Sequence, residues 1–369
     1  MSARVTVRAS LPRPAGLVTI TLLAAGLLAA CSGGHRVART APTTASTAAP
    51  TTAAPSTTRA PKPRDAIARC PLTWLPAPHG RVPQRPALAV KVENLPAARP
   101  QYGLSEADIV FEEPVEGGIT RFIVVYQCHD ASRIEPIRSG RIIDPEIVRQ
   151  LGAHPLFAYA GAIDPATAAI DSSPLIDVGI YRAPASAYWR DPSRYAPHNL
   201  VSSTAVLYAV GRHEHASSMP PPPLFSYGPL PATAVPAARV HIAYPYSDLT
   251  WTWQPKNGNW ARSYADTGIA TQGEGGQVTA TNVVVLQVVM YPSPFVEDPT
   301  GAHENLLRLT GSGAAEVFRN GALIRGTWVR PSLAQTTRLL DVHNHPITLS
   351  PGTTWVELVP TTVPVAATP

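Results

Sequence analysis

Three glutamates that lie close together carry the clearest chemical signal in this sequence. Glu112, Glu113 and Glu116 come just before the pair Gly117-Gly118. Neighbouring carboxylates suit acid–base work on a glycosidic bond, which needs an acid of raised pKa beside an ionised partner, or the binding of a hard cation such as Ca²⁺. If Glu112 and Glu113 both lie in a strand, their side chains point to opposite faces, so at most one of them pairs readily with Glu116.

The acidic cluster has a second interpretation, in which it forms ion pairs that fix the geometry of the surrounding loops. Two strands are expected to bring Asn94, Thr120 and the glutamates to one end of a sheet. The available cations are Arg99, Arg121, Arg138 and Arg141. We expect ion pairing ahead of ligand binding, and ligand binding ahead of catalysis.

The segment from Arg138 to Arg141 is a candidate anion site. Two arginines spaced by three enclose Ser139 and a glycine, and a guanidinium group binds carboxylate or phosphate through two parallel hydrogen bonds. Pairing of the same arginines with the glutamates is the alternative, and the sequence favours neither.

A third group of polar residues lies in a proline-interrupted loop before a capped helix. Its candidate ligand-binding residues are Arg190, Asp191, His198 and Asn199. A histidine in such a loop acts as a general base, a ligand or a hydrogen-bonded structural residue. The chain has no GxSxG, SxxK or HExxH motif that would supply a nucleophile or a metal. His343-Asn344-His345 falls in a predicted turn, and we predict no metal site or cofactor there.

The N-terminus has the order of a lipoprotein signal. Cys31 ends the lipobox LAAC, and a charge-free apolar run from 15 to 30 follows three arginines, Arg4, Arg8 and Arg13. An apolar run of this length is shorter than the roughly 20 residues that span a bilayer. We therefore predict cleavage before Cys31, lipidation of this cysteine and anchoring by two acyl chains on the outer face of the cytoplasmic membrane.

Charge and cysteine content narrow the class of protein. The formal charge is +5, and removing the three signal arginines leaves 5 − 3 = +2. Basic residues are scattered, so a nucleic-acid partner is disfavoured. Cys70 and Cys128 remain after Cys31 is set aside, and an exported pair of this kind usually forms a disulfide. Two free thiols or a metal pair are the alternatives.

Composition divides the chain into four parts. After the signal (1–31), a Thr/Ala/Pro-rich stretch (32–66) has little to bury and is predicted to be a disordered tether. A cluster of prolines from Pro220 to Pro236 excludes a helix or a central strand. We predict a mixed α/β or α+β N-terminal domain (67–225) and a β-rich C-terminal domain (237–360).

The local patterns predict the main elements. Strands are expected at 87–92, 108–113, 120–127, 283–291, 347–349 and 355–359, hairpins at 251–264 and 316–330, and helices at 145–151, capped by Asp144, and after Ser202 or Ser203.

Several long stretches, in order, resemble the YerB-like lipoprotein family, whose N- and C-terminal domains have no known function. They are RPALAVKVENLPAARPQYGLSEADIVFEEPVEGGITRF, EPIRSGR and RDPSRYAPHNL in the first half, and TQGEGGQVTATNVVV, VFRNGALIRGTWVR and PITLSPGTTWVELVP in the second. The resemblance covers residues 71–360. It implies an exported, lipid-anchored, two-domain protein of Gram-positive type, and it implies no catalytic residues.

We therefore expect a non-enzymatic binding or scaffold protein of the cell envelope. Its partners would be the membrane, through the lipid, and a cell-wall component or another envelope protein. The alternatives are a cell-wall glycan hydrolase with Glu113 or Glu116 as the acid, and a purely structural two-domain module.

Overall fold

The computed structural model describes residues 67–369. The predicted signal, the lipidation of Cys31 and the tether at 32–66 lie outside the described residues. The described residues 67–369 belong to one compact unit. Within the described part, no helix has the length and apolar character needed to cross a membrane.

The described chain is rich in strands and has three α-helices. The helices are α1 (Asp144–Val148), α2 (Asp164–Asp171) and α3 (Thr204–His213). The strands are β1 (Leu88–Glu93), β2 (Ile109–Pro114), β3 (Thr120–Tyr126), β4 (Leu156–Ala158), β5 (Ile176–Asp177), β6 (Trp189–Arg190), β7 (Leu200–Val201), β8 (Val235–Pro236), β9 (Arg239–Ile242), β10 (Leu249–Gln254), β11 (Asn259–Tyr264), β12 (Gly268–Ile269), β13 (Thr279–Ala280), β14 (Asn282–Val288), β15 (Met290–Val296), β16 (His303–Leu307), β17 (Gly311–Arg319), β18 (Ala322–Arg330), β19 (Arg338–Asp341), β20 (Thr354–Pro360) and β21 (Val365–Thr368).

An 11-stranded sheet joins the two halves of the chain. Its order is β19-β18-β17-β14-β20-β2-β3-β1-β4-β5, with β8 added to β18. Strand β2 pairs in parallel with β20 from Ile109 opposite Thr354 to Glu112 opposite Glu357. The structure is rich in strands, as predicted for the C-terminal range, but a separate mixed N-terminal domain is not confirmed, because its strands continue into those of the C-terminal range. The domain boundary at the prolines stays a prediction.

Both faces of the large sheet are buried. On one face, Val90, Val110 and Val124 pack with helix α3 and with a smaller, six-stranded sheet. The order of this smaller sheet is β12-β11-β10-β9-β21, and β13 pairs with β11. On the other face, Ile123 and Val125 pack with α1 and α2. A strand buried on both sides reads as a nearly continuous apolar run, as in β3.

Several local predictions are confirmed. Cys70 and Cys128 form a disulfide, with their Cα atoms 5.9 Å apart. Both hairpins form, with turns at Asn257-Gly258 and Asn320-Gly321. The Ser203 hydroxyl accepts the backbone N–H of Val206 at the start of α3.

Three other predictions are wrong. Asp144 does not cap α1 but lies in its first turn, where its side chain accepts the backbone N–H of Arg141 at 2.8 Å. The strand expected at 283–291 divides after Val288, because β15 leaves the large sheet and pairs with β16. Residues 347–349 form only an isolated bridge between Leu349 and Tyr227.

Candidate functional site

The ends of three strands gather charged residues at one end of the large sheet. Strand β3 lies between β1 and β2, so Arg121 is opposite both Glu93 and Glu113. The 3₁₀ turn at Glu116–Gly118 connects β2 to β3. The loop that carries Arg138 is hydrogen-bonded to β1, because the backbone N–H of Arg138 donates to the carbonyl of Lys91. The predicted gathering at one sheet end is therefore present.

Glu112 and Glu113 do point to opposite faces. Glu112 faces the smaller sheet and forms an ion pair with Arg262 at 2.7 Å. It also accepts the hydroxyl of Thr120 at 2.6 Å, and Asn94 donates to that same hydroxyl at 2.8 Å. All of these side chains are fully buried. Asn94, Glu112 and Thr120 are therefore closed inside the core and do not reach a ligand.

Arg262 holds a second buried carboxylate, which the sequence did not indicate. Its NH1 lies 3.1 Å from Glu357, and its guanidinium group packs among the aromatic rings of Trp251, Trp355, Tyr264 and Phe122. Burial and the neighbouring Glu112 raise the pKa of Glu357 well above its ordinary value. The set of Glu112, Arg262 and Glu357 is called the inner cluster below.

Glu113 belongs to a second buried set on the other face. Lys91 forms ion pairs with Glu113 and, at 2.6 Å, with Asp144, and all three side chains are fully buried. Burial, followed by the charge of Asp144, raises the pKa of Glu113 to about 8. One ammonium group beside two carboxylates balances only one negative charge, so the set keeps a proton at neutral pH.

Glu116 has a different environment, beside two arginines. Arg141 donates to it from Nε at 2.8 Å and also through NH2, and Arg121 lies at 3.5 Å. Burial raises the pKa of Glu116, but the hydrogen bonds and charges of Arg141 and Arg121 outweigh burial, so its pKa lies below the ordinary value. Arg141 also pairs at 2.9 Å with Glu297, which comes from β15–β16. Glu116 is therefore an ionised acceptor.

Glu93 connects this group to the loop of residues 190–199. Its two carboxylate oxygens contact Arg138 Nε at 3.1 Å and His198 Nδ1 at 2.8 Å. The ring of Tyr195 packs edge-on against His198, with the ring centroids 5.2 Å apart. Glu93 is fully buried, whereas the side chains of Arg138 and His198 are 22% and 12% exposed. A buried carboxylate thus orients two side chains that reach the surface.

These residues form what we call the arginine site. Arg121 is almost fully buried, and its NH1 donates to the carbonyl of Ser139 at 3.3 Å. Within residues 67–369, Arg121 Nε has no hydrogen-bond partner. Burial and the charges of Arg141 and Arg138 lower the pKa of Arg121 to about 10. The members of the site are Glu93, Glu116, Arg121, Arg138, Ser139, Arg141 and His198.

The remaining predicted site residues hold loops together. Arg99 pairs with Asp266 at 3.0 Å and stacks on Tyr264. Arg190 donates to Asn199 at 2.8 Å, and Asp191 accepts from Arg133 and from the backbone of Ser193. The sequence did not mark Lys91, Asp144, Glu297 or Glu304 as site residues. A lysine in the middle of the apolar run ALAVKV was the available signal for Lys91.

The geometry offers little for glycosidic acid catalysis. Glu113 has the raised pKa that an acid needs, but no part of its side chain reaches solvent. Glu116 borders a cleft but stays ionised. In the described part of the chain, no three His, Cys, Asp or Glu side chains are placed to hold a metal ion. The predicted turn at His343-Asn344-His345 is fixed by Asp341, which accepts the backbone N–H groups of both histidines.

Family descriptions match both halves of the chain. The family descriptions that match are "Protein of unknown function (DUF3048) N-terminal domain" over residues 72–217 and the C-terminal domain of the same family over residues 240–356. The chain is 27% identical over 299 residues to "Putative lipoprotein YerB" of Bacillus subtilis (strain 168), covering 79% of this chain and 86% of that protein.

The fold has also been seen in a crystal. The crystal structure of YerB protein from Bacillus subtilis matches with a TM-score of 0.71 and 23% sequence identity, covering 81% of this chain and 99% of that one.

Proposed function

This chain belongs to the DUF3048 family of proteins of unknown function, and we propose that it is a lipid-anchored envelope protein that binds a cell-wall ligand without transforming it. The lipobox at Cys31 and the similarity to a protein named as a lipoprotein support the anchor. An exported lipoprotein with this anchor lies on the outer face of the cytoplasmic membrane, where the wall is the nearest large structure.

The observation that carries the proposal is the arginine site. Three arginines of like charge are held side by side, and buried carboxylates fix their positions. Arg138 and His198 reach solvent from this fixed base. A guanidinium group suits a carboxylate or phosphate, and side chains locked before binding lose less entropy when a ligand arrives. A ligand with a free carboxylate, such as the peptide stem of the wall, fits this chemistry.

The protonation and the accessibility of the two candidate acids favour binding over hydrolysis. A general acid must be protonated and must touch the leaving oxygen. Glu113 meets the first condition but is closed off from a substrate, and Glu116 borders a cleft but is ionised. A scaffold role with a protein partner would use the same exposed side chains, and the experiment below separates the two.

The test is thermal unfolding of the full-length protein, purified in detergent, with and without muropeptides that carry a free stem carboxylate. A ligand that binds only the folded state raises the unfolding midpoint once its concentration exceeds the dissociation constant. We expect a rise for the parent and none for Arg138→Ala. The matched control is Arg325→Ala, because Arg325 forms an exposed pair with Glu316 on the β17–β18 hairpin.

Two results would count against the proposal. The first is the absence of a shift with any muropeptide, which would direct the search to a protein partner by crosslinking on intact cells. The second is an equal shift for Arg138→Ala, which would place the ligand elsewhere.

A further inference from the structure

Two clefts meet beside the Gly117-Gly118 turn. The first has a volume of about 480 Å³ and lies between this turn and the β15–β16 hairpin. The second has a volume of about 350 Å³ and lies on the side of Ile119. Pro245 lines both, so it forms a ridge between them. Each volume falls in the range of roughly 300–1,000 Å³ that is typical of small-molecule sites.

Tyr246 stands exposed on this ridge. Its side chain is 71% exposed, although its backbone N–H is fixed by a 3.0 Å hydrogen bond to the carbonyl of Gly118. A Cβ atom on Gly118 would lie 2.9 Å from Cδ2 of the Tyr246 ring, so a glycine is needed for the ring to pack on this turn. The tyrosine is therefore a positioned aromatic surface and not a loose side chain.

The first cleft combines apolar walls with a few hydrogen-bonding groups. Met290 and Pro292 supply apolar surface, and Glu116, His303 and Asn305 supply polar atoms. His303 donates from Nδ1 to the carbonyl of Ser293 at 2.8 Å, which leaves Nε2 to accept another hydrogen bond. Asn305 donates to the carbonyl of Val115, which leaves its Oδ1 available as an acceptor. A ligand that presents both hydroxyl groups and C–H faces matches this lining.

The charged side chains that line the clefts favour an uncharged ligand over a polyanion. Glu116 in the first cleft and Asp248 and Asp266 in the second are the charged lining residues. Among the residues of 67–369 that line the two clefts there is no lysine or arginine. Glu116 and Asp266 are already paired with arginines that do not line the clefts, so a phosphate-rich wall polymer gains no cation from this lining. The hydroxyl groups of an uncharged sugar, in contrast, donate readily to carboxylates.

We propose that the two clefts bind an uncharged glycan strand that crosses the Pro245–Tyr246 ridge, with one sugar ring stacked on Tyr246. This inference rests on the proposed function, because it assigns the sugar portion of the wall ligand to the surface next to the arginine site. The 35 residues between Cys31 and Ile67 allow Ile67 to stand at most roughly 120 Å from the anchor.

The experiment measures binding of one uncharged, peptide-free probe to the full-length protein in detergent by calorimetry. The probe is chitohexaose, and dextran is the control polymer. We expect binding of chitohexaose but not of dextran. Tyr246→Ala should weaken binding at least tenfold, and Tyr246→Trp should retain it. Tyr181→Ala is the matched control, because Tyr181 is 84% exposed and lines neither cleft.

The outcomes separate this inference from the proposed function. Absence of binding by the parent protein, or unchanged binding by Tyr246→Ala, would overturn the glycan assignment. If muropeptides still raise the midpoint in an Arg138-dependent way, the proposed function survives and only the glycan assignment fails. If chitohexaose binds and muropeptides bind no better, the glycan assignment stands and the arginine site loses its role.

Discussion

Replacing Glu113 by glutamine should remove a large part of the pH dependence of stability. In the folded protein Glu113 shares a proton in a fully buried set with Lys91 and Asp144, and its pKa is about 8. In the unfolded chain the same carboxyl titrates near its ordinary value of 4.5. Glutamine copies the protonated carboxyl group, because its amide donates to Asp144 while its carbonyl accepts from Lys91.

Proton linkage gives the sign and the size of this dependence of the free energy of unfolding on pH. Between pH 4.5 and 8 the folded state binds more protons at Glu113 than the unfolded state, so the free energy of unfolding falls as pH rises. One proton corresponds to about 1.4 kcal/mol per pH unit, which gives up to about 4 kcal/mol between pH 5 and pH 8. Glu113→Gln carries no such loss, so we expect it to be more stable than the parent at pH 8 and similar at pH 5.

The assay is urea unfolding of the full-length protein at four values between pH 5 and pH 8. Glu304, whose pKa burial raises to about 7, adds a slope of the same sign. The informative quantity is therefore the difference between parent and variant at each pH. Glu316→Gln is the control, because Glu316 lies in a surface pair with Arg325. A flat difference curve for Glu113→Gln would refute the assignment of the proton to this set.

Three further predictions concern stability and the cleft. Arg262→Met should cost about 3–5 kcal/mol in urea unfolding at pH 8, because it leaves both glutamates of the inner cluster without a cation, and acidification to pH 5 should recover part of this cost. Replacing Cys70 and Cys128 together by alanine should lower the unfolding free energy by about 2–5 kcal/mol, and reduction of the parent should have the same effect. Gly118→Ala should lower the free energy of unfolding by about 1–3 kcal/mol, since Gly118 has a φ of +73° and the new Cβ atom would press on the ring of Tyr246. An unchanged unfolding midpoint would contradict the packing of that ring on the turn.

Local features could be predicted from the sequence, because their causes are local. The alternation of side chains along a strand placed Glu112 and Glu113 on opposite faces, and the structure has them so. Asn-Gly pairs located the hairpin turns, and Ser203 marked the start of α3. The disulfide followed from the number of cysteines in an exported chain.

Long-range partners could not be predicted, because nothing in a linear pattern selects among many candidates. Arg262 lies 150 positions from Glu112, and the hairpin that contains it reads as an ordinary surface hairpin. The parallel pairing of β2 with β20 likewise joins residues that are 245 positions apart, from Ile109 to Thr354. Asp144 looked like a helix cap because aspartate is common there, but Lys91 and Arg141 occupy its oxygens instead.

Buried charged residues lie on both faces of strand β2. Well-packed apolar residues in place of a buried ion pair often leave a protein equally stable or more stable, so the retained charges need another explanation. On one face of β2 they join the two family ranges through Arg262. On the other face, Glu116 pairs with Arg121, and Glu93 contacts Arg138 and His198, whose side chains reach the surface. Burial, followed by the charges of the neighbouring Arg141 and Arg138, lowers the pKa of Arg121, so part of the lowering reflects repulsion among the three arginines. An arriving carboxylate would relieve that repulsion without rearranging the site, which is the behaviour of a preorganised anion site.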